Sequence, residues 1–531
     1  MNSTIQIDPS DDVVVALREL NPGDSIGNGT CACETIPPKQ KAVLRAFSPG
    51  EFIRMYGVTV ATATKPIAAG GLMTTENVVH ASEEFGIRGD RNIEWTGPDV
   101  RDLRNRTFQG YHRSNGQVGT ANTWIVIPMV FCENRNLEVM REAFAKPLGF
   151  DRSSSYERLA ANLANGYRSG ANVQQLLDET LPDPDTPQEF LFPNVDGIKF
   201  LTHGIGCGGT RQDSSALCAL FAGYATSPNV AGITVFSLGC QNAEVKDFER
   251  GVAERDPNFD KPLYIFEQQK YQSERELISA AMKQTFVGLT QANEARREPA
   301  PLSKLTFGME CGASDGFSGV SANPAIGQVA DLMTALGGRV ILSEFPELCG
   351  VEQELLNRCS TDEAAQRFHD LMKRYEQRAD EVGTSMSANP SPGNIRDGLI
   401  TDAIKSAGAA KKGGTSPIVD VLDYTEPVKR DGLSLLCTPG NDVESTTAMA
   451  GSGANVMLFS TGLGTPTGNP VTPTLKVASN TELAERMPDI IDFDTGAIVR
   501  GEATIEETGR QLLELVIQTA SGEYRSKAAR L

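Results

Sequence analysis

No apolar run in this 531-residue chain is long enough to cross a bilayer. The most apolar stretch, Thr123 to Cys132, falls well short of the roughly 20 residues a membrane helix needs. The first residues carry neither a basic region nor an apolar one, so no secretory signal is visible and a cytoplasmic location is expected. Positive charge is scarce: 49 Lys and Arg face 68 Asp and Glu, for a net charge of −19 and a pI near 4.8. That balance excludes a basic nucleic-acid footprint and any general attraction to anionic lipid. No two cysteines form a C-x-x-C pair, which excludes zinc ribbons and thioredoxin-type motifs. The phosphate loop G-x-x-x-x-G-K-[ST] is absent, and Thr461-Gly462-Leu463-Gly464-Thr465-Pro466 matches it only loosely. Histidine occurs four times, so each instance matters. An anionic ligand would need local positive groups or a metal to overcome the overall repulsion.

What remains is ordinary globular composition, 40% hydrophobic and 22% charged, with enough chain for two to four domains at about 100–200 residues each. Residues 1–85 show short β-type runs, such as Val13 to Leu17 and Val58 to Ala63, broken at Asn21-Pro22-Gly23 and Ser48-Pro49-Gly50. Residues 86–106 are polar, contain Gly97-Pro98, and read as a linker. From Phe108 onward apolar β-rich runs alternate with helical patterns, the signature of α/β layering with mainly parallel sheets. We divide this part at 107–385 and 386–531, and residues 150–192 read as a polar helical insertion. Asn323 and Pro324 are a predicted helix start, followed by an apolar face of Val329, Leu332, Met333 and Leu336 and a stop at Gly337-Gly338. Ser-Ala-Asn-Pro occurs at 321–324 and again at 387–390, a weak hint of duplication.

The residues that end the strands carry the chemistry. Candidate strands run into His203, Cys240, Glu267, Cys311 and Glu344, with Cys132 and Cys437 at two further ends. Glycine-rich turns follow several of them, at 204–209 and 312–316. Open α/β sheets bind ligands outside the carboxyl ends of their strands, where glycine lets backbone approach a ligand closely. His203 precedes a glycine loop and suits a metal-ligand role, and Glu344 follows a strand that would bury it at a cost unless paired. The competing reading for each cysteine is a small buried residue. Cys218, Cys349 and Cys359 are expected to be that, and His369 to lie on a solvated helix face.

Several of these motifs occur together and in order. They are Phe108-Gln109-Gly110-Tyr111, 115–120 (NGQVGT), Cys207-Gly208, Leu238-Gly239-Cys240, Cys311-Gly312 with 314–319 (SDGFSG), 321–324, Ser343-Glu344, 387–394 (SANPSPGN) and 461–466. From about residue 106 to the end the chain resembles the altronate/galactarate dehydratase family, and Val130 to Arg135 looks closer to the altronate branch. The N-terminal segment is similar, more weakly, to that family's SAF-type β-clip domain. One departure stands out: the family's Gly-His-Lys and His-x-His-Asn motifs read here as Lys39-Gln40-Lys41 and Thr74-Thr75-Glu76-Asn77, with Glu76 or His80 as substitutes. The resemblance implies a sugar-acid hydro-lyase, D-altronate to 2-keto-3-deoxy-D-gluconate, with Fe²⁺ as cofactor and Mn²⁺ as the alternative. Galactarate, another hydroxy acid, or a non-catalytic sugar-acid-binding role are the competing readings. Within that frame His203, Cys240, Cys311 and Glu344 are the expected metal ligands. Asp315, Glu344 and His203 are the expected proton-transfer groups. Arg211, Ser314, Asn323, Asn389 and Thr461 are expected to bind substrate. The expected partner is a small sugar acid, with a homodimer as the assembly.

Overall fold

The fold was described from a computed structural model covering residues 3–87, 93–150, 155–182, 190–386 and 389–530. Three regions follow one another along the chain. The first is all β. Val13–Ala16, four consecutive buried residues, pairs antiparallel with Thr4–Ile5 on one side and Lys41–Val43 on the other. A second small sheet joins Phe52–Met55, Val58–Ala63 and Val78–His80. Their apolar faces merge into one core with the C-terminal region, through residues such as Ile53, Val60 and Met73. The β domain is therefore packed onto the body. The segment expected as a linker includes 88–92, which lie outside the described residues; around it Trp95 Nε1 donates to Thr415 Oγ1, and Val100 and Leu103 are buried.

The second region is a four-stranded parallel sheet. Gly197–Phe200, Thr123–Pro128, Val230–Ser237 and Leu263–Glu267 lie side by side in that order. The central strands are buried end to end, as a sheet covered on both faces by helices requires. The third region is a seven-stranded sheet, parallel at every described pairing. Its order is Ile418–Leu422, Gly432–Leu436, Arg339–Leu342, Thr306–Cys311, Val456–Thr461, Thr474–Ala478 and Phe493–Asp494. Strands from both sides of residue 385 share this sheet, so the division expected there falls inside a single layer. The Asp362–Glu381 helix and the loop after it belong to the crossover from Arg339–Leu342 to Ile418–Leu422, two strands that flank Gly432–Leu436 in the sheet. The two layers meet through an antiparallel patch of Thr107–His112 with Val118–Gly119 and Glu298–Pro301.

The Ala322–Ala335 helix forms as its apolar spacing predicts, but its cap lies two residues earlier than expected. Ser321 occupies the cap position, and its hydroxyl donates to the Phe317 and Ser479 carbonyls. Asn323 is buried inside the first turn and bridges the Gly408 carbonyl and the Ser460 hydroxyl. From Thr306–Cys311 the chain builds strands to one side, then returns with Val456–Thr461 on the other. The carboxyl ends of those two strands flank the switch point, where such sheets open a crevice.

Candidate active site

Side chains at this switch point form a dense buried cluster of charge. Glu310 and Cys311 end the Thr306–Cys311 strand, Glu344 follows Arg339–Leu342, and Glu347 sits in the short helical turn after it. Lys405 projects from the Asp402–Ala410 helix, Lys412 from the turn that continues it, and Asp442 begins the Asp442–Ser452 helix. Lys405 Nζ lies 2.6 Å from Glu347 Oε1, and Lys412 Nζ lies 3.4 Å from Glu344 Oε2. The Cys311 thiol donates to Glu347 Oε2 at 3.1 Å. Ser445 donates to Glu310 Oε2 at 2.5 Å and shares a hydrogen bond with Ser343. Lys476 Nζ sits 3.1 Å from the centroid of the Phe459 ring.

Burying so many charges sets their proton affinities apart. Burial, reinforced by the Glu347 charge, raises Glu344 to about 7 despite the Lys412 ammonium beside it. Glu310 is pushed well above the carboxylate range by burial and by Glu344, whose carboxyl lies within 4.8 Å of it. Its Oε1 is buried without a hydrogen-bond partner. Burial would raise Glu347 too, but Lys405 and Lys412 outweigh it and hold this carboxyl below its usual range. Burial lowers Lys476 to about 7, whereas the surrounding carboxylates overcome burial at Lys412 and keep it charged. Two neighbouring carboxyls whose proton affinities are both raised, beside two ammonium groups, are the parts of an acid–base site.

The backbone is strained at the same place. Glu344 holds φ 66° and ψ 63°, the left-handed region a branched or long side chain seldom adopts. Ala313 (φ 51°) in the adjacent loop and Lys39 (φ 72°) in the β domain share this geometry. Lys39 reaches from the β domain to Asp315, Nζ to Oδ2 at 3.1 Å, and also to Asp397. Next to it Lys41 is fully buried; its Nζ donates to the carbonyls of Lys39 and Gly398, and burial lowers it to about 7. A Cβ on Gly316 or Gly398 would strike the Lys39 carbonyl, so the two glycines are what let the β domain close down on these loops.

The expected residues are distributed differently from the sequence reading. Cys311 and Glu344 meet, with Sγ and Oε2 3.9 Å apart. His203 and Cys240 do not join them: among the described residues, no group of three potential ligand atoms within 4.8 Å contains either one. Both lie on the other sheet. The His203 ring is spent structurally, since Nε2 donates to the Pro128 carbonyl and Nδ1 accepts from Ile205 N–H, and burial holds it neutral. Asp315 is fully buried and saturated by Lys39, Ser318, Ser479, Asn480 and the Phe317 N–H, so it anchors the β domain and has no free lone pair for a proton in flight. Ser314 offers its carbonyl to Asn394, and Thr461 accepts from Gly464 N–H; both are buried. Asn323 is likewise consumed, as above. Arg211 is exposed at the start of the Arg211–Thr226 helix on the four-stranded side. Asn389 alone of the expected substrate groups touches the cluster, 3.4 Å from Glu347 Oε1; residues 387 and 388 of its motif lie outside the described residues. The reading missed Glu310, Glu347, Lys405 and Lys412. The available signal was an acid inside an apolar strand, Met309-Glu310-Cys311, and a lysine pair at 411–412 ending an alanine-rich helix.

Comparisons with known proteins agree with this architecture region by region. Residues 2–81 match the profile described as altronate/galactarate dehydratase SAF domain. Residues 110–293 match D-galactarate dehydratase/altronate hydrolase, second domain, and 302–531 match D-galactarate/altronate dehydratase, C-terminal. An altronate dehydratase of Bacillus subtilis is 31% identical over 531 residues, covering 98% of this chain and 96% of that one. The chain belongs to the altronate/galactarate dehydratase family. An Escherichia coli altronate dehydratase is also 31% identical, over 98% of this chain and 95% of its own. An Escherichia coli galactarate dehydratase (L-threo-forming) is 29% identical over 98% and 93%. The family profiles also place the break between the two α/β regions between residues 293 and 302, where the sheets divide.

A metal is implied by the resemblance, and the cluster tests whether its residues suit one. Cys311, Glu344 and Glu347 bring ligand atoms within 4.8 Å of each other, as do Glu310, Glu344 and Asp442. Yet Lys412 and Lys405 already lie against Glu344 and Glu347, and neither ammonium leaves those carboxylates free to face an ion. A divalent ion would have to sit among buried ammonium groups. The cluster does not fit one.

Proposed function

We propose that the protein dehydrates a sugar acid, D-altronate, to 2-keto-3-deoxy-D-gluconate and water, with Glu344 and Glu310 as its proton-transfer pair. The observation that carries this reading is the contact between those two carboxyls under the positive field of Lys412 and Lys405. β-Elimination from a hydroxy acid needs a base for the proton next to the carboxylate, stabilisation of the enediolate that forms, and an acid for the departing hydroxyl. Ionised Glu344 takes the α-proton. The ammonium groups of Lys412 and Lys405 oppose the charge that builds on the substrate carboxylate. Protonated Glu310 delivers its proton to the leaving oxygen as the carbon–oxygen bond breaks, which releases water and leaves an enol that tautomerises to the keto acid. Entry requires the β domain to lift, because Lys39 and Lys41 close the neighbouring loops. Altronate is preferred as substrate because two altronate dehydratases align over nearly the full chain at 31%.

The test is a panel of hexonates and hexarates incubated anaerobically, with keto-acid formation followed for each. Altronate should turn over fastest, and Glu344→Gln should abolish the reaction. Faster turnover of galactarate would reassign the substrate, and no turnover of any member would overturn the catalytic reading.

A further inference from the structure

The four-stranded sheet carries chemistry that the acid–base cluster leaves unused. Free cysteine is among the most buried residue types, yet Cys132, Cys207 and Cys240 are all exposed and unpaired. They are not scattered. Each lies on the loop that follows one of three adjacent parallel strands: Cys132 after Thr123–Pro128, Cys207 after Gly197–Phe200, and Cys240 after Val230–Ser237. Parallel strands deliver their carboxyl ends to one edge, with neighbours about 4.8 Å apart. Hydrogen bonds then tie the loops together. Phe131 N–H donates to the Ile205 carbonyl at 2.8 Å, Asn134 Nδ2 to the His203 carbonyl at 2.8 Å, and Asn242 Nδ2 to the Gly209 carbonyl at 3.2 Å. His203 holds the same loop to Pro128. The space beside the loop is open: a Cβ built on Gly204, Gly206 or Gly208 meets nothing within 4 Å.

We propose that Cys132, Cys207 and Cys240 hold an iron–sulfur cluster on three thiolates at this edge of the four-stranded sheet. Thiolates on converging loops are the ligands such clusters use, and soft sulfur donors select iron–sulfur centres over manganese or magnesium. A single ion is not what the sulfurs are arranged for. Ligands around a single ion crowd together, whereas these three sulfurs form no group within 4.8 Å. Open space beside the glycines accommodates inorganic bulk that a single ion would not need. Each thiol releases its proton on binding, so assembly is favoured as pH rises. Three protein ligands leave one iron without a fourth thiolate. The Arg211–Thr226 helix begins directly after the glycine loop, and its Gln212 and Asp213 line a cavity of about 920 Å³. Thr438, whose hydroxyl accepts from the Glu344 N–H, and Glu444, in the Asp442–Ser452 helix, line the same cavity. This inference rests on the thiol geometry and stands or falls independently of the substrate.

The experiment is anaerobic purification of the full chain, reconstitution with Fe²⁺ and sulfide, and measurement of iron, acid-labile sulfide, visible absorption and the EPR signal after reduction. Wild-type protein should hold iron and sulfide in matching amounts with a broad visible band. Cys132→Ser, Cys207→Ser and Cys240→Ser should each lower cluster content on the order of tenfold or more, with far-ultraviolet circular dichroism unchanged because all three side chains are exposed. Cys311→Ser, on the other sheet, should retain the cluster. Iron without sulfide, a cluster that survives the triple serine variant, or no cluster in reconstituted wild-type protein would each overturn the proposal.

Discussion

The two α/β regions share a parallel design and use their strand ends in opposite ways. In the seven-stranded sheet the carboxyl edge is sealed. Glu310, Glu344 and Lys412 have at most 1% of their surface exposed, and the β domain is latched across the neighbouring loops by Lys39. In the four-stranded sheet the same edge is open, with exposed thiols and glycines facing space. Sealing turns ordinary carboxyls into groups that exchange protons near neutrality, because burial penalises charge and only a few lysines offset it. Openness leaves thiols available as ligands. Parallel sheets of different size thus support two kinds of chemistry, and the difference lies in what covers the edge.

The largest effects should come from the sealed edge. Glu344→Gln keeps the shape of the side chain and removes its basicity, so kcat should fall by about 10²–10⁴-fold, the usual worth of a positioned base. Thermal unfolding should be little changed, since an amide in this position carries no buried charge. A variant with kcat within tenfold of wild type would break the assignment. Lys412→Met should lower kcat and act on stability as well. It leaves Glu344 and Glu347 buried without one of their counter-charges, a loss of about 3–5 kcal/mol in urea unfolding. A stability change below about 1 kcal/mol would show that the ammonium is dispensable to the cluster.

An intermediate effect is expected where the β domain meets the body. Lys39→Ala removes the ion pair to Asp315 while four other donors remain on that carboxylate. The loss should be about 1–3 kcal/mol, read as faster amide exchange in residues 39–43 and 312–318 with the seven strands still protected. Uniform exchange across the whole chain would mean that the β domain unfolds with the body as one unit and is not a separable cover.

The parts legible in the sequence were those with a local signature. Strand ends, glycine turns and the β character of residues 1–85 follow from patterns a few residues long, and Cys311 and Glu344 were picked out because each closes an apolar run. Lys405 and Lys412 were not, because nothing near them in sequence says that their helix crosses over Glu347 and Glu344. His203 misled for a related reason: a histidine before a glycine loop looks like a ligand until the backbone groups that occupy both of its nitrogens are in view. Asp315 misled because its partners come from residues 39, 479 and 480, far away along the chain. Pairing decides function here, and pairing is a property of the packed molecule.

The smallest effect, a pH dependence, is the one that separates Glu344 from its neighbours. As a base it must be ionised, so kcat should rise with pH through about 7 and fall to roughly a tenth of its plateau one unit below. Its effect on stability has the opposite direction. Glu344 is raised in the folded protein, so between its ordinary value of 4.5 and about 7 the folded state binds more protons than the unfolded chain. The stabilisation is complete below the lower value and is lost as pH rises through the upper one. Lys41 works the other way: lowered from 10.5 to about 7 by burial, it adds stability above its unfolded value that disappears as pH falls through 7. Urea midpoints for wild type and Glu344→Gln, measured from pH 5 to 9, isolate the first term by difference. The variant should lose less stability than wild type between pH 5 and 7, and the two curves should run parallel above pH 8. Curves that stay parallel over the whole range would mean that Glu344 titrates at its ordinary value and that another group sets the rise in kcat.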